Sequence, residues 1–207
     1  LCTCAIAQEE TAEYWMKKAI ELRYRGSFEE AALAYDQALQ IDPENATLWI
    51  GKALDLSTIG RDNDSIKAYE TALHLTEEAL KNDPHNAIAW HRKGQILSNL
   101  GREDEALPAY ETALATSDRI LEKDSRNISV LRVKAEALVD LGQWDEGLQV
   151  LDRVIEINHR NYDAMGRKSE ILVMMGLFNE SLQTLGQAIE LIPANDTLEL
   201  VVYWSAK

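Results

Sequence analysis

The sequence predicts an all-α fold: an α-solenoid of five helical hairpins followed by the first helix of a sixth. Three observations predict it. Trp15, Trp49, Trp90, Leu131 and Met165 follow one another at steps of 34, 41, 41 and 34 residues. Gly26, Gly60, Gly101, Gly142 and Gly176 each stand eleven residues after one of those anchors. Between anchor and glycine lie a small residue (Ala19, Ala53, Gly94, Ala135, Ser169) and a leucine (Leu22, Leu56, Leu97, Leu138, Leu172), at the spacing of one face of a helix.

Each element follows in turn. The glycine ends the first helix, because the chain needs a left-handed residue there and a Cβ in that conformation costs ~1–2 kcal/mol. A second apolar stripe then begins with Ala31, Ser65, Ala106, Gly147 and Ser181. It continues through Tyr35, Tyr69, Tyr110, Leu151 and Leu185 to Ala38, Ala72, Ala113, Val154 and Ala188, which marks a second helix. Small residues facing one another let two helices approach, and the aromatic or leucine fills the space between. Pro43, Pro84 and Pro193 punctuate the second helices. The repeats run 12–45, 46–86, 87–127, 128–161 and 162–195, with a partial sixth over 196–207 and a tail over 1–11.

The second and third repeats carry seven extra residues, between Ala72 and Pro84 and between Ala113 and Ser125. A heptad turns a helix to about 20° short of two turns and lengthens it by ~10.5 Å, so the same face returns to the core. The predicted extensions run through Leu75, Ala79 and Leu80, and through Ser117, Ile120 and Leu121, packed together as a protruding edge. Pro108 is expected near the first turn of its helix, where a missing N–H matters least.

Trp15, Ala19, Leu22, Gly26, Phe28, Ala31, Tyr35, Ala38 and Pro43 resemble the tetratricopeptide repeat (TPR) signature slot for slot. The resemblance covers residues 12–195 and drifts in the last two repeats, where Leu131, Met165 and His159 replace tryptophan and proline. It implies a right-handed superhelix whose first helices line a concave groove for extended or helical peptides. The groove slots are then Met16, Ile20, Ile50 and Leu54, an apolar set, and His91, Arg92, Gln95, Arg132, Glu136, Arg167 and Glu170, a charged one. The implied function is a scaffold for protein–protein interaction, not an enzyme. Its ligand is an amphipathic segment with an acidic group that meets Arg92, Arg132 or Arg167. The lysine and asparagine with which some relatives clamp a C-terminal carboxylate are replaced by Met16 and Ile20, or Ile50 and Leu54.

The alternative is a self-assembly module, because a solenoid end needs a polar cap and this one offers Leu200, Tyr203 and Trp204. That reading uses the lengthened-helix edge as well. Lys18, Lys52, Lys93, Lys134 and Lys168 recur three residues after the anchors, where a lysine stem covers apolar surface; the row reads as structural and not as an anion site.

Composition narrows the rest. Lys and Arg number 21 against 35 Asp and Glu, and a net charge of -14 argues against nucleic acid as partner. No apolar run is long enough to span a bilayer. Cys2 and Cys4 lie too close together to form a disulfide framework. The sequence contains no phosphate loop, zinc-binding histidine pair or catalytic nucleophile motif, and it implies no cofactor or metal. Asp62-Asn63-Asp64 lacks the glycine and distal glutamate of a calcium loop and reads as helix capping. Localisation stays open between cytoplasmic and exported or cell-surface. Ala5-Ile6-Ala7 fits a signal cleavage pattern, and Asn45, Asn63, Asn127, Asn179 and Asn195 lie in Asn-x-Ser/Thr triplets that capping also explains.

Overall fold

The computed structural model describes residues 11–191. They form ten α-helices and no strand: α1 Ala12–Tyr24, α2 Phe28–Ile41, α3 Ala46–Thr58, α4 Asp62–Asn82, α5 Ala87–Asn99, α6 Glu103–Lys123, α7 Ile128–Asp140, α8 Trp144–Ile157, α9 Tyr162–Met174 and α10 Phe178–Leu191. The described chain divides into two compact units, with the boundary between Leu75 and Thr76, inside α4. The tail residues and the candidate self-association residues Leu200, Tyr203 and Trp204 lie outside the described residues.

Odd-numbered helices begin on a side-chain cap. Thr11, Asn45, Asn86, Asn127 and Asn161 each accept a hydrogen bond from a backbone N–H of the first turn, satisfying a donor that the helix itself cannot. Asn45 and Asn127 of the Asn-x-Ser/Thr triplets are thus caps. Even-numbered helices begin differently. Ser27, Arg102 and Gln143 make no side-chain cap, and carboxylates in the first turn (Glu29 and Glu30; Glu103, Asp104 and Glu105; Asp145 and Glu146) complement the helix dipole instead.

The five spaced glycines have φ between 71° and 78°. At Gly101 the consequence is visible: the Arg102 N–H donates across the turn to the Leu97 carbonyl at 2.9 Å, closing the end of α5. The same bond reaches the leucine slot in every repeat, at Leu22, Leu56, Leu138 and Leu172.

Within each hairpin the small slots face one another. Ser65 Oγ donates to the Ala53 carbonyl at 2.8 Å, and the hydroxyls of Ser169 and Ser181 lie 2.7 Å apart. The core of unit 1 gathers Ala19, Ala34, Tyr35, Ala38, Leu39 and Leu48 beneath Trp15 and Trp49. In unit 2, Leu121, Val130, Leu131, Leu151, Val154 and Ile171 form one cluster, and Met165, Leu185 and Ala188 another.

The tryptophan anchors also fasten the preceding turn. Trp49 Nε1–H donates to the Pro43 carbonyl at 2.8 Å, and Trp90 Nε1–H to the Pro84 carbonyl at 2.9 Å. Leu131 has no donor, and there Arg153 donates to the carbonyl of Ser125, the residue at the proline slot, at 2.8 Å.

α4 and α6 have 21 residues, whereas α2, α8 and α10 have 14. Of the residues expected in the extensions, Leu80, Ser117 and Leu121 are buried, but Ala79 is exposed. Pro108 departs from expectation too. α6 begins at Glu103, so Pro108 is its sixth residue, one turn deeper than the sequence suggested. Its ring removes the N–H that would have met the Asp104 carbonyl.

Candidate functional site

In unit 1 the apolar slots Met16 and Ile20 on α1 and Ile50 on α3 are half-buried, and Leu54 is exposed. Beside them lies a polar clasp that the repeat pattern does not predict. Arg23, in the last turn of α1, donates from Nε to Asp55 Oδ1 at 2.6 Å and from Nη2 to the Gly51 carbonyl at 2.7 Å and Tyr35 Oη at 3.4 Å. Asp55 is 1% exposed, and its Oδ2 has no hydrogen-bond partner. Burial pushes the Asp55 carboxyl up, against the opposing hydrogen bond and charge of Arg23. Burial also pushes the Tyr69 phenol up to about 12, with Arg23 pulling it down. One signal was legible: Asp55 occupies a slot filled in the next three repeats by Ile96, Ala137 and Ile171, so it is an acid where a core residue is due.

In unit 2 the charged slots come from three first helices: His91, Arg92 and Gln95 from α5, Arg132 and Glu136 from α7, Arg167 and Glu170 from α9. His91 is buried, and its imidazole bridges α5 to α7. Nε2 lies 2.8 Å from Asp140 Oδ2, and Nδ1 lies 3.5 Å from Glu136 Oε2. The other oxygen of Glu136 accepts from Arg132 Nη1 at 2.7 Å, and Arg167 Nη1 donates to Glu170 Oε2 at 2.6 Å. Burial opposes the charge on Arg167, yet Glu170, with Glu136 and Asp140 behind it, holds the guanidinium above its ordinary value. Asp140 is the member that sequence reasoning missed, because it closes α7 nine residues after Leu131, outside the groove slots.

Arg92 differs from the other two arginines. It is half-buried and has no ion pair or hydrogen bond among the described residues. Burial lowers its pKa, and repulsion from Arg132 lowers it further. An unmatched cation beside a second cation is a place where an anion is stabilised. Between α7 and α9 the space lined by Arg132, Glu136, Leu151 and Arg167 is about 10 Å³, enough for one water at most and too small for a side chain.

The lysine row is spoken for. Lys52, Lys93, Lys134 and Lys168 each pair with the acid sixteen residues earlier, Asp36, Glu77, Asp118 and Asp152, at 2.5–2.8 Å. Lys18, Lys52 and Lys93 also lie over the rings of Trp15, Trp49 and Trp90. A larger depression of about 570 Å³ opens in unit 1 among α2, α3 and α4, lined by Leu33, Trp49, Leu56 and Ile59, with the Lys52–Asp36 and Arg61–Asp64 pairs in its walls. Among the described residues no group of three or more His, Cys, Asp or Glu side chains is placed to hold a metal ion, and no helix is long and apolar enough to cross a membrane.

Antiparallel helix pairs closed by a left-handed glycine, with small residues at their contact and an aromatic anchor on the loop, define the tetratricopeptide class of α-solenoid. Comparison with known sequences agrees. A tetratricopeptide repeat profile matches residues 85–160 and a TPR repeat profile matches residues 19–54, together more than half of the chain. The chain belongs to the tetratricopeptide repeat family, whose members serve as protein-interaction scaffolds. A profile of the protein prenyltransferase alpha subunit repeat also matches residues 69–100. No curated protein matches the chain by sequence.

Among solved structures, a thermophilic TPR protein from Thermus thermophilus shares the fold, with 16% identity, coverage of 94% of this chain and 98% of that one, and a TM-score of 0.56. MamA from Desulfovibrio magneticus RS-1 (16% identity, 89% and 97% coverage, TM-score 0.44) is a looser match. So is YrrB, described as a TPR protein with an unusual peptide-binding site (21% identity, 92% and 91% coverage, TM-score 0.41). Likenesses that loose say nothing about what this chain binds.

Proposed function

We propose that this chain holds segments of partner proteins on the exposed faces of its first helices, with a different chemistry in each unit. In unit 1, Met16, Ile20, Ile50 and Leu54 offer apolar contacts to a peptide. In unit 2, Arg92, Gln95, Arg132, Glu136, Arg167 and Glu170 offer a polar face on which an acidic side chain or terminal carboxylate is neutralised by Arg92 and Arg132. The observation that carries this reading is Arg92, a half-buried guanidinium with no acidic partner among the described residues and with Arg132 beside it. The structural lysines support it by contrast, since each of the four on α3, α5, α7 and α9 has its own carboxylate.

The test is a fluorescence-anisotropy titration with a labelled Glu-rich peptide against the whole chain. A charge-assisted hydrogen bond is worth about 1.5–3 kcal/mol, so Arg92→Ala should weaken binding by roughly ten- to a hundredfold. Lys93→Ala removes the same charge one residue away, from a lysine already paired with Glu77, and should change affinity little. Equal effects of the two substitutions would reduce the site to non-specific attraction and sink the proposal.

A further inference from the structure

The arginine face of unit 2 has a second layer, formed by a histidine too buried to touch a ligand yet bonded to the carboxylate that competes with one. Glu136 stands between two cations, with Oε1 on Arg132 at 2.7 Å and Oε2 on His91 at 3.5 Å. From this geometry we infer that His91 is the positioning residue of the anion site: when its ring is charged it draws Glu136 away from Arg132, and the site then takes a carboxylate ligand more tightly. The inference rests on the reading of Arg92 and Arg132 given above.

A neutral imidazole has one N–H. With that proton on Nε2, donated to Asp140 at 2.8 Å, Nδ1 turns a lone pair toward Glu136, and the carboxylate is left to neutralise Arg132. A charged imidazolium donates from both nitrogens, so Glu136 is shared and the site gains a unit of positive charge. The surroundings of the ring within unit 2 are consistent with this switch. From α7 it meets Glu136 and Asp140, with Arg132 behind them; from α6 the Tyr110 ring lies 5.7 Å away between centroids. α5 itself contributes Arg92 and Lys93, the latter held by Glu77 of α4, and α9 contributes Arg167, which is bonded to Glu170.

The experiment measures binding of two probes to the full chain between about pH 5.5 and 8, a range in which the carboxylates of a peptide stay ionised. One probe is the Glu-rich peptide, and the other is inorganic sulfate, whose charge is constant across that range. One added charge several ångströms away, partly screened, should tighten peptide binding about fivefold at the lower pH. His91→Gln should abolish that difference, and Glu136→Gln should raise affinity at both pH values, which a merely structural glutamate would not do. A pH difference that survives His91→Gln, or a Glu136→Gln protein that binds no tighter, overturns the inference while leaving the arginine site standing. Absence of peptide binding at either pH overturns both. Sulfate that follows the same pH profile and is lost with Arg92→Ala shows that the site recognises the anion itself, and sulfate that does not bind restricts it to carboxylates of a peptide.

Discussion

Replacing Gly94 with alanine puts a methyl group where α5 has no room for one. A Cβ at that position lies 2.5 Å from both Cδ1 and Cε1 of Tyr110 and 3.0 Å from its Cγ. Carbon atoms at rest sit about 3.5–4.0 Å apart, so the ring must retreat by roughly 1 Å. It has little freedom to do so, being 5% exposed and packed beside His91. Overpacking a closed core costs about 1–3 kcal/mol, and a clash with three ring carbons at once belongs at the upper end. The better helix propensity of alanine returns about 1 kcal/mol. The net loss is about 2 kcal/mol, which lowers the thermal midpoint of a chain of this size by about 4–8 °C. Urea titration followed by tryptophan fluorescence reads it directly, because Trp90 is on the same helix. Tyr110→Leu installs the residue already present as Leu151 and Leu185 in the later repeats, and in that background Gly94→Ala should become nearly neutral. A Gly94→Ala protein more stable than the parent, as propensity alone would make it, would refute the close-approach argument.

Three further outcomes follow from the geometry. Asp55→Ala strands the guanidinium of Arg23 and should cost about 3 kcal/mol in a denaturant titration, whereas Asp55→Asn keeps an acceptor and should cost less than half of that; equal losses would assign the clasp to charge and not to the hydrogen bond. Because burial holds Tyr69 at about 12 in the folded chain, against about 10 when unfolded, stability should fall by up to roughly 3 kcal/mol as pH rises through that window. Tyr69→Phe should remove that part of the alkaline slope, and parallel urea midpoints in parent and variant would count against it. Asn127→Ala deletes the cap of α7, whose side chain accepts from Val130 N–H at 3.2 Å, and should cost about 1 kcal/mol by thermal melting followed by circular dichroism; an unshifted melt would show that solvent replaces the cap.

Much of the fold was legible because it repeats. Glycines at a fixed offset from the anchors announced left-handed turns, and each has a positive φ. Small residues at matching slots announced close helix contacts, and the Ser169–Ser181 pair shows one. The same averaging hides whatever occurs once. Arg23 and Asp55 are 32 residues apart and His91 and Asp140 are 49 apart, separations that match no step of the repeat, so no period points to either pair. Arg92 was legible as a candidate, but its isolation was not, since a missing partner is visible only when its neighbours are in place. Pro108 was misplaced by a turn because the start of a second helix has no side-chain cap to mark it.

The lysine–carboxylate staples have a consequence for kinetics. Each cancels its charge locally, so the surplus that gives the chain a formal charge of -14 lies elsewhere on its surface and dominates the field at a distance. If Arg92 takes the acidic ligand proposed above, that ligand is repelled by the chain's net charge and attracted only within the last screening length, about 8 Å in physiological salt. Added salt should then speed its arrival and hasten its departure together, a pattern opposite in its first half to that of ordinary charge-steered encounters, and one that favours partners delivered by tethering over those that must find the site by diffusion.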